Sequence, residues 1–405
     1  MWSKVELCTL RVAPRVNISH EHSAIARFAA MSEECEYTGD MSDSSELKSI
    51  ERRIGELVRE YVEPNAAHAQ ISPSLQPMLK SVVRQALSSS ESGKRLRALL
   101  TIDAYDAMTL HAVPEHTQTA SAQSNVLDFA CAIEVFQTAA LVHDDLIDDS
   151  DLRRGKPSAH CALTQQVGQA SIGRGLGLML GDMLATACTM IMEHASAGMN
   201  EHQRLVESFL AMQRDVEIGQ VLDLAIERMP LDDPRALAQA SLNVFRWKTA
   251  SYTTIAPLQL AFLAADVPAQ QAQEHAFAIG LPLGQAFQLA DDLIDVIGSS
   301  RATGKPVGGD IKEGKRTVLL ADALELGDDT QRARLQSLYE QDERSSQEIS
   351  EVIALFHSTG AVYRSRQRIG DLWDATQSAI SQLQLLQDQS QLLRSACARF
   401  LPDFA

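Results

Sequence analysis

Basic side chains are in deficit: 36 Lys and Arg stand against 53 Asp and Glu, a net charge of −17 over 405 residues. That balance argues against a nucleic-acid backbone as the main partner, and any anionic ligand needs local basic groups or bound cations. Uninterrupted apolar runs are also missing. The richest stretch, GLGLMLGDMLATACTMIM, is broken by Asp182. Since no run approaches the roughly 18 to 20 residues of a membrane span, this one reads as a buried helix. Its methionines, Met179, Met183, Met190 and Met192, read as core filler.

The six cysteines, Cys8, Cys35, Cys131, Cys161, Cys188 and Cys397, form no C-x-x-C pair. This argues against a zinc ribbon and a disulfide framework, and fits reduced thiols in a cytoplasmic protein. Strand-type alternation is nearly absent, and so is any fixed-period repeat. The first forty residues carry Arg11, Arg15 and Arg27 but no apolar core of a secretory signal. Residues 1–44 therefore read as an N-terminal extension: a disordered tail, an organelle transit peptide, or sequence upstream of a start at Met31 or Met41.

What is present is helical periodicity. In 126–149, Leu127, Ala130, Cys131, Val135, Thr138, Leu141, Val142 and Leu146 step by three and four. Similar patterns cover 47–64, 76–88, 95–109, 164–195, 201–225, 236–263, 272–297, 316–325 and 347–400. The fold class is all-α, and residues 45–405 are expected to form a single domain of long antiparallel helices. Two polar breaks stand out, a Gly-rich basic one at 298–315 and a highly charged one at 326–348.

The pentapeptide DDLID occurs at Asp144–Asp148 and again at Asp291–Asp295. Each copy ends an apolar helical pattern, and its first and last acids, at i and i+4, share one face with Cβ atoms about 5–6 Å apart. Two unpaired like charges near 4 Å cost on the order of 4 kcal/mol at an effective dielectric of 20, so something must neutralise them. Carboxylates without a His or Cys cluster suit Mg²⁺ or Mn²⁺. His143 reads as a packing residue or a support to the ligands. Lys94, Arg97, Arg153, Arg154, Lys248, Lys305 and Lys315 flank the two motifs. A cation cluster plus such basic groups makes a site for two polyanions, diphosphates being the natural guess.

These residues carry a resemblance. SGKRLR, HDDLIDDSDLRRGKP, GDMLA, GQVLDL, KTAS, FQLADDLIDVIG and GKPVGGDIKEGKRT follow one another in the order of the trans-isoprenyl diphosphate synthases, the polyprenyl synthetases. The resemblance implies a helical bundle around a deep apolar cavity, usually in a homodimer, and a Mg²⁺-dependent condensation of isopentenyl diphosphate with an allylic diphosphate. It implies Asp144, Asp148 and Asp291 as the main ligands of about three Mg²⁺ ions, with Asp145, Asp292 and Asp295 orienting them or holding metal-bound water. Lys94, Arg97, Gln137 and Arg154 would hold isopentenyl diphosphate. Arg153, Lys248, Thr249, Gln288, Lys305 and Lys315 would face the allylic diphosphate, and Lys248, Thr249, Gln288, Asp144 and Asp291 would be the catalytic residues. Ser92, Ala98 and Gln137 depart from the Gly, Pro and His of many members.

Product length is expected to follow from the helix that runs into Asp144. Ala139 and Ala140, five and four residues earlier, leave the cavity open, and Phe136 one turn deeper could floor it. That suggests a C20 product, with C15 or a longer chain as alternatives. A class I terpene cyclase would need neither GKRLR nor a second DDxxD, and a non-catalytic regulatory subunit would be expected to lose acids that are intact here.

Overall fold

Helical periodicity is realised almost throughout. The computed structural model describes residues 40–64, 71–111, 120–298 and 307–401. The expected N-terminal extension falls, up to residue 39, outside the described residues, and so does Lys305. Residues 44–402 form one compact unit. In chain order the helices are α1 (Asp40–Val62), α2 (Gln76–Ser90), α3 (Leu96–Thr109), α4 (Ala120–Ile147), α5 (Ala159–Val167), α6 (Ala170–Ser196), α7 (His202–Ile226) and α8 (Pro234–Val244). They continue as α9 (Ala256–Ala264), α10 (Ala269–Ile297), α11 (Gly309–Glu313), α12 (Val318–Leu326), α13 (Asp329–Tyr339), α14 (Ser346–Ser358), α15 (Ala361–Gln382) and α16 (Gln387–Ala398). A π-helical segment, Phe245–Ile255, joins α8 to α9 without a break. A two-residue antiparallel hairpin pairs β1 (Leu152–Arg153) with β2 (Lys156–Pro157).

Local chemistry explains where the helices depart from the periodicity. The expected helix over 164–195 is interrupted at Gly168, whose φ of 69° supplies the left-handed cap of α5. The stretch 347–400 is three helices, the first break falling at Gly360 with φ 87°. The charged break at 326–348 contains α13, started by a capping box of Asp328 and Gln331.

Helix α4 is the centre. Residues 129–136 are buried without exception, so it contacts neighbours all round rather than along one stripe. It packs lengthwise on α6, while α10 packs on α15 and the π-helical segment, and α7 also lies on that segment. At the α4–α6 contact Gly181 faces the His143 ring: a Cβ there would lie 2.2 Å from His143 Nε2, and the ring would have to turn aside.

Two helical stretches, Gln123–Ile147 and Ala170–Ser196, are long and apolar enough to cross a membrane by length and composition, which corrects the expectation that no stretch approaches that length. The first is 67% buried. The second is only 44% buried, so it is not the wholly buried helix expected. Met192 is core, but Met179 and Met190 lie exposed beside Ile172 and Leu178.

Candidate active site

The first acidic cluster forms where α4 ends. Asp148 N still donates to Asp144 O at 2.9 Å, so the helical path continues through both acids. Lys248, on the π-helical segment, donates to Asp144 Oδ1 at 3.1 Å and to Asp223 Oδ2 at 2.5 Å. This placement depends on a close approach of α7, since a Cβ on Gly219 would lie 2.2 Å from Lys248 N. Arg153, on the hairpin that follows, donates from Nε to Asp145 Oδ1 at 2.9 Å and lies 3.9 Å from Asp144.

These partners divide the acids electrostatically. Burial pushes the Asp144 carboxyl up, but Lys248, then Lys315 and Arg153, outweigh it and hold it below the ordinary carboxylate range. At Asp145 burial wins over the Arg153 hydrogen bond and raises the carboxyl. Asp148 is raised to about 6 by burial and by the charge of Asp144, against the pull of Lys315 and Lys248. Burial opposes the charge on Lys248, yet Asp144 and Asp223 keep its ammonium held above the usual range. Asp149 pairs instead with the exposed Arg174, and His143 faces Asp182 of α6 at 3.3 Å.

The second cluster ends α10. Thr249 Oγ1 donates to Gln288 Oε1 at 2.9 Å, and Gln288 Nε2 donates to Asp292 Oδ1 at 2.8 Å. The other Asp292 oxygen is buried with no hydrogen-bond partner. Burial above all, then the charge of Asp310, raises the Asp292 carboxyl well above its ordinary value. Asp295 accepts from the backbone amides of Gly309 and Asp310, each at 3.1 Å, so both its oxygens anchor the start of α11. Lys315 pairs with Asp310 at 3.4 Å and Glu313 at 2.9 Å. Its charge also acts on Asp144, Asp148 and Asp292. Lys315 thus acts electrostatically on both copies of the motif.

The remaining basic groups lie to the side of the first cluster. Arg154 donates to the carbonyls of Glu91 at 3.0 Å and Ser92 at 2.5 Å. With Arg153, Lys156, Thr138 and Asp145 it lines a cleft of about 180 Å³. Ser92, in place of the family glycine, is held at φ 59°, a conformation that costs a non-glycine residue roughly 1 kcal/mol. Lys94 is exposed and Gln137 half-buried. Arg97 is turned inward, donating to Thr253 Oγ1 at 2.8 Å and lying 4.3 Å above the Tyr252 ring. Phe136 and Ala139 are buried, and Ala140 is partly open.

Three acids that motif spacing does not single out belong to this site: Asp223, Asp310 and Glu313. Asp223 had a signal in GQVLDL, since Gly219 and Asp223 at i and i+4 share the face that α7 turns to Lys248. Asp310 and Glu313 lie inside GKPVGGDIKEGKRT, one of the segments that carry the family resemblance, but no spacing within it marks them out.

Comparisons with known proteins show the family of the chain. Residues 76–356, more than half of the chain, match the family model described as polyprenyl synthetase. A short chain isoprenyl diphosphate synthase of Methanocaldococcus jannaschii is 28% identical over 268 residues, 65% of this chain and 72% of the relative. An octaprenyl diphosphate synthase of Escherichia coli is 28% identical over 299 residues, 74% and 82% respectively. The crystal structure of a geranylgeranyl pyrophosphate synthase from Corynebacterium glutamicum, complexed with isoprenyl diphosphate and magnesium, superposes with a TM-score of 0.74 at 27% identity. The superposition covers 87% of this chain and 97% of that one.

Proposed function

The chain belongs to the polyprenyl synthetase family of trans-prenyltransferases, and from that premise we propose that it joins isopentenyl diphosphate to an allylic diphosphate, making chiefly a C20 product. The allylic primer would be dimethylallyl, geranyl or farnesyl diphosphate. One observation carries the reading: Asp144 and Asp148 at the end of α4 and Asp292 on α10 answer to one shared charge, Lys315. A diphosphate with its counter-ions fits between such groups.

The donor set fits Mg²⁺. Asp292 keeps a buried carboxylate oxygen with no hydrogen-bond partner, Asp148 is raised by burial and by the charge of Asp144, and the donors are hard oxygens. Asp144, Asp148, Asp291 and Asp292 would hold the ions, while Asp145 and Asp295, already bonded to Arg153 and to the α11 amides, would orient the others. Bound Mg²⁺ would supply neutralisation of the leaving diphosphate.

The protein's own groups do the rest. Lys248 would exchange its hold on Asp144 for an oxygen of the allylic diphosphate, with Arg153 and Lys315 beside it. As the C–O bond breaks, its electron pair leaves with the diphosphate and an allylic cation remains. The Thr249 hydroxyl oxygen and the Gln288 carbonyl, linked by a hydrogen bond, present dipoles to that cation without a nucleophilic charge. Lys94, Gln137 and Arg154 would hold isopentenyl diphosphate so that its double bond forms the new C–C bond, while Arg97 is turned inward onto Tyr252 and Thr253. The adjacent proton then passes to the released diphosphate. Water must be kept out, and the burial of Thr249 and Phe136 serves that end.

The reading extends to a homodimer. Exposed Leu178, Met179 and Met190 on α6 and Ile218, Val221 and Leu224 on α7, two helices packed on each other, make an apolar face of the kind that a second copy covers. Sedimentation showing monomer alone at micromolar concentration would remove that part. The activity itself is tested with purified protein, Mg²⁺, labelled isopentenyl diphosphate and each primer in turn. Absence of elongation with every primer would overturn the proposal.

A further inference from the structure

Tyr252 is absorbed neither by the acidic motifs nor by the basic groups, yet it touches Phe136 on α4 and Arg97 of the GKRLR segment. In the wider turn of the π-helical segment it follows Lys248 by four positions, which puts it about one turn deeper on the side that faces Asp144. Phe136 lies eight residues, about 12 Å, below Asp144 on α4. The two rings meet edge to face, with centroids 5.9 Å apart and planes at 78°. Two helices on different sides of the acidic cluster therefore send aromatic rings to the same depth.

Tyr252 is also held from behind. The Arg97 guanidinium lies 4.3 Å from the ring centroid and is itself fixed by Thr253 Oγ1 at 2.8 Å. Phe136 alone, at the end of a column of alanines, could swing aside by changing rotamer. A ring stacked under a buried guanidinium and crossed by a second ring is far less free to do so.

The geometry points to Tyr252 as a residue that sets product length, forming with Phe136 a two-ring floor across the path of the growing chain. The inference rests on the prenyl-transfer reading for its substrate, a long-chain allylic diphosphate. Tyr252→Leu keeps apolar bulk but loses the crossing ring, while Tyr252→Phe keeps the ring and the contact with Arg97.

Two measurements on the full chain test it. In the first, labelled isopentenyl diphosphate and farnesyl diphosphate are supplied with Mg²⁺ and the products separated by length. Tyr252→Leu should lengthen the main product by at least one five-carbon unit, and Tyr252→Phe should leave it unchanged. In the second, prenyl diphosphates of increasing length are titrated by calorimetry without isopentenyl diphosphate, so that no turnover is needed. The chain length at which affinity falls should move up by one unit in Tyr252→Leu. A parent protein without turnover whose binding limit still moves in the variant would remove the transferase reading and support the floor. A Tyr252→Leu protein with the parent's melting temperature, product length and binding limit would overturn the floor.

Discussion

The pentapeptide DDLID ends both α4 and α10, and the protein neutralises its two copies by different means. At α4 the first acid is held by Lys248 and the second by Arg153. At α10 Asp292 faces only the neutral Gln288 amide on one oxygen, its other oxygen is buried with no partner, and Asp310 adds a repelling charge. The fifth acids diverge as well. Asp148 is raised to about 6 by burial and Asp144, whereas Asp295 spends both oxygens on backbone amides of the next element. An identical motif is thus part ion-pair network and part helix anchor. Its roles are assigned by what the rest of the fold brings within about 3 Å, not by position within the five residues.

The largest effect should separate the first acid of one copy from the fifth acid of the other. Asp144→Ala removes a carboxylate that faces Lys248 and shares a face with Asp148, and isoprene incorporation should fall by roughly a thousandfold. Asp295→Ala should cost mainly stability, roughly 1–2 kcal/mol, because two amides of α11 lose their acceptor. Its turnover should fall less than that of Asp144→Ala. Equal losses of activity with unchanged melting temperatures would mean that the contrast between the copies has no functional content.

A smaller effect concerns charge that the protein leaves unbalanced. The raised folded value of Asp148, about 6, means that the native state favours the protonated carboxyl. Its contribution to stability is therefore present below the ordinary carboxylate range and is lost as pH rises through about 6. Mg²⁺ should restore what is lost. Saturating Mg²⁺ should raise the melting temperature by several degrees at about pH 7.5 and by clearly less at about pH 5, where a proton already does part of the neutralising. The same Mg²⁺ shift at both values would show that Asp148 does not contribute to the effect.

Much of this contrast could not be read from residue order. The helices and the two acidic motifs were legible, because apolar steps of three and four and a repeated DDLID are local signals. The π-helical segment was not, since FRWKTASYTTI fits an ordinary helical period about as well. Its backbone is approached closely by α7 at Gly219, a contact between residues 29 positions apart in sequence. Asp223, Asp310 and Glu313 lay inside segments of the resemblance without being singled out, because each acts through its pairing with a lysine, which residue order does not show. Arg97 shows the reverse case. Its place in GKRLR suggests a diphosphate ligand, while its side chain lies inward on Tyr252 and Thr253. The exposed faces of Met179 and Met190 were hidden by composition, because an apolar helix reads the same whether its outer side meets core or solvent.

The smallest effect tests the edge of the first copy. Asp149 directly follows Asp148 in sequence, yet its carboxylate turns away to Arg174, and both side chains are more than half exposed. A pair screened by solvent contributes about 0–1 kcal/mol, and its loss leaves no buried charge behind. Asp149 also sits at φ 52°, a conformation that Asn tolerates at least as well as Asp. Asp149→Asn should therefore keep turnover within about twofold and shift stability by no more than about 0.5 kcal/mol, measured by incorporation assay and thermal melt. A tenfold loss of activity would place Asp149 among the groups that act on the diphosphate, and the boundary of the working motif would have to move one residue beyond Asp148.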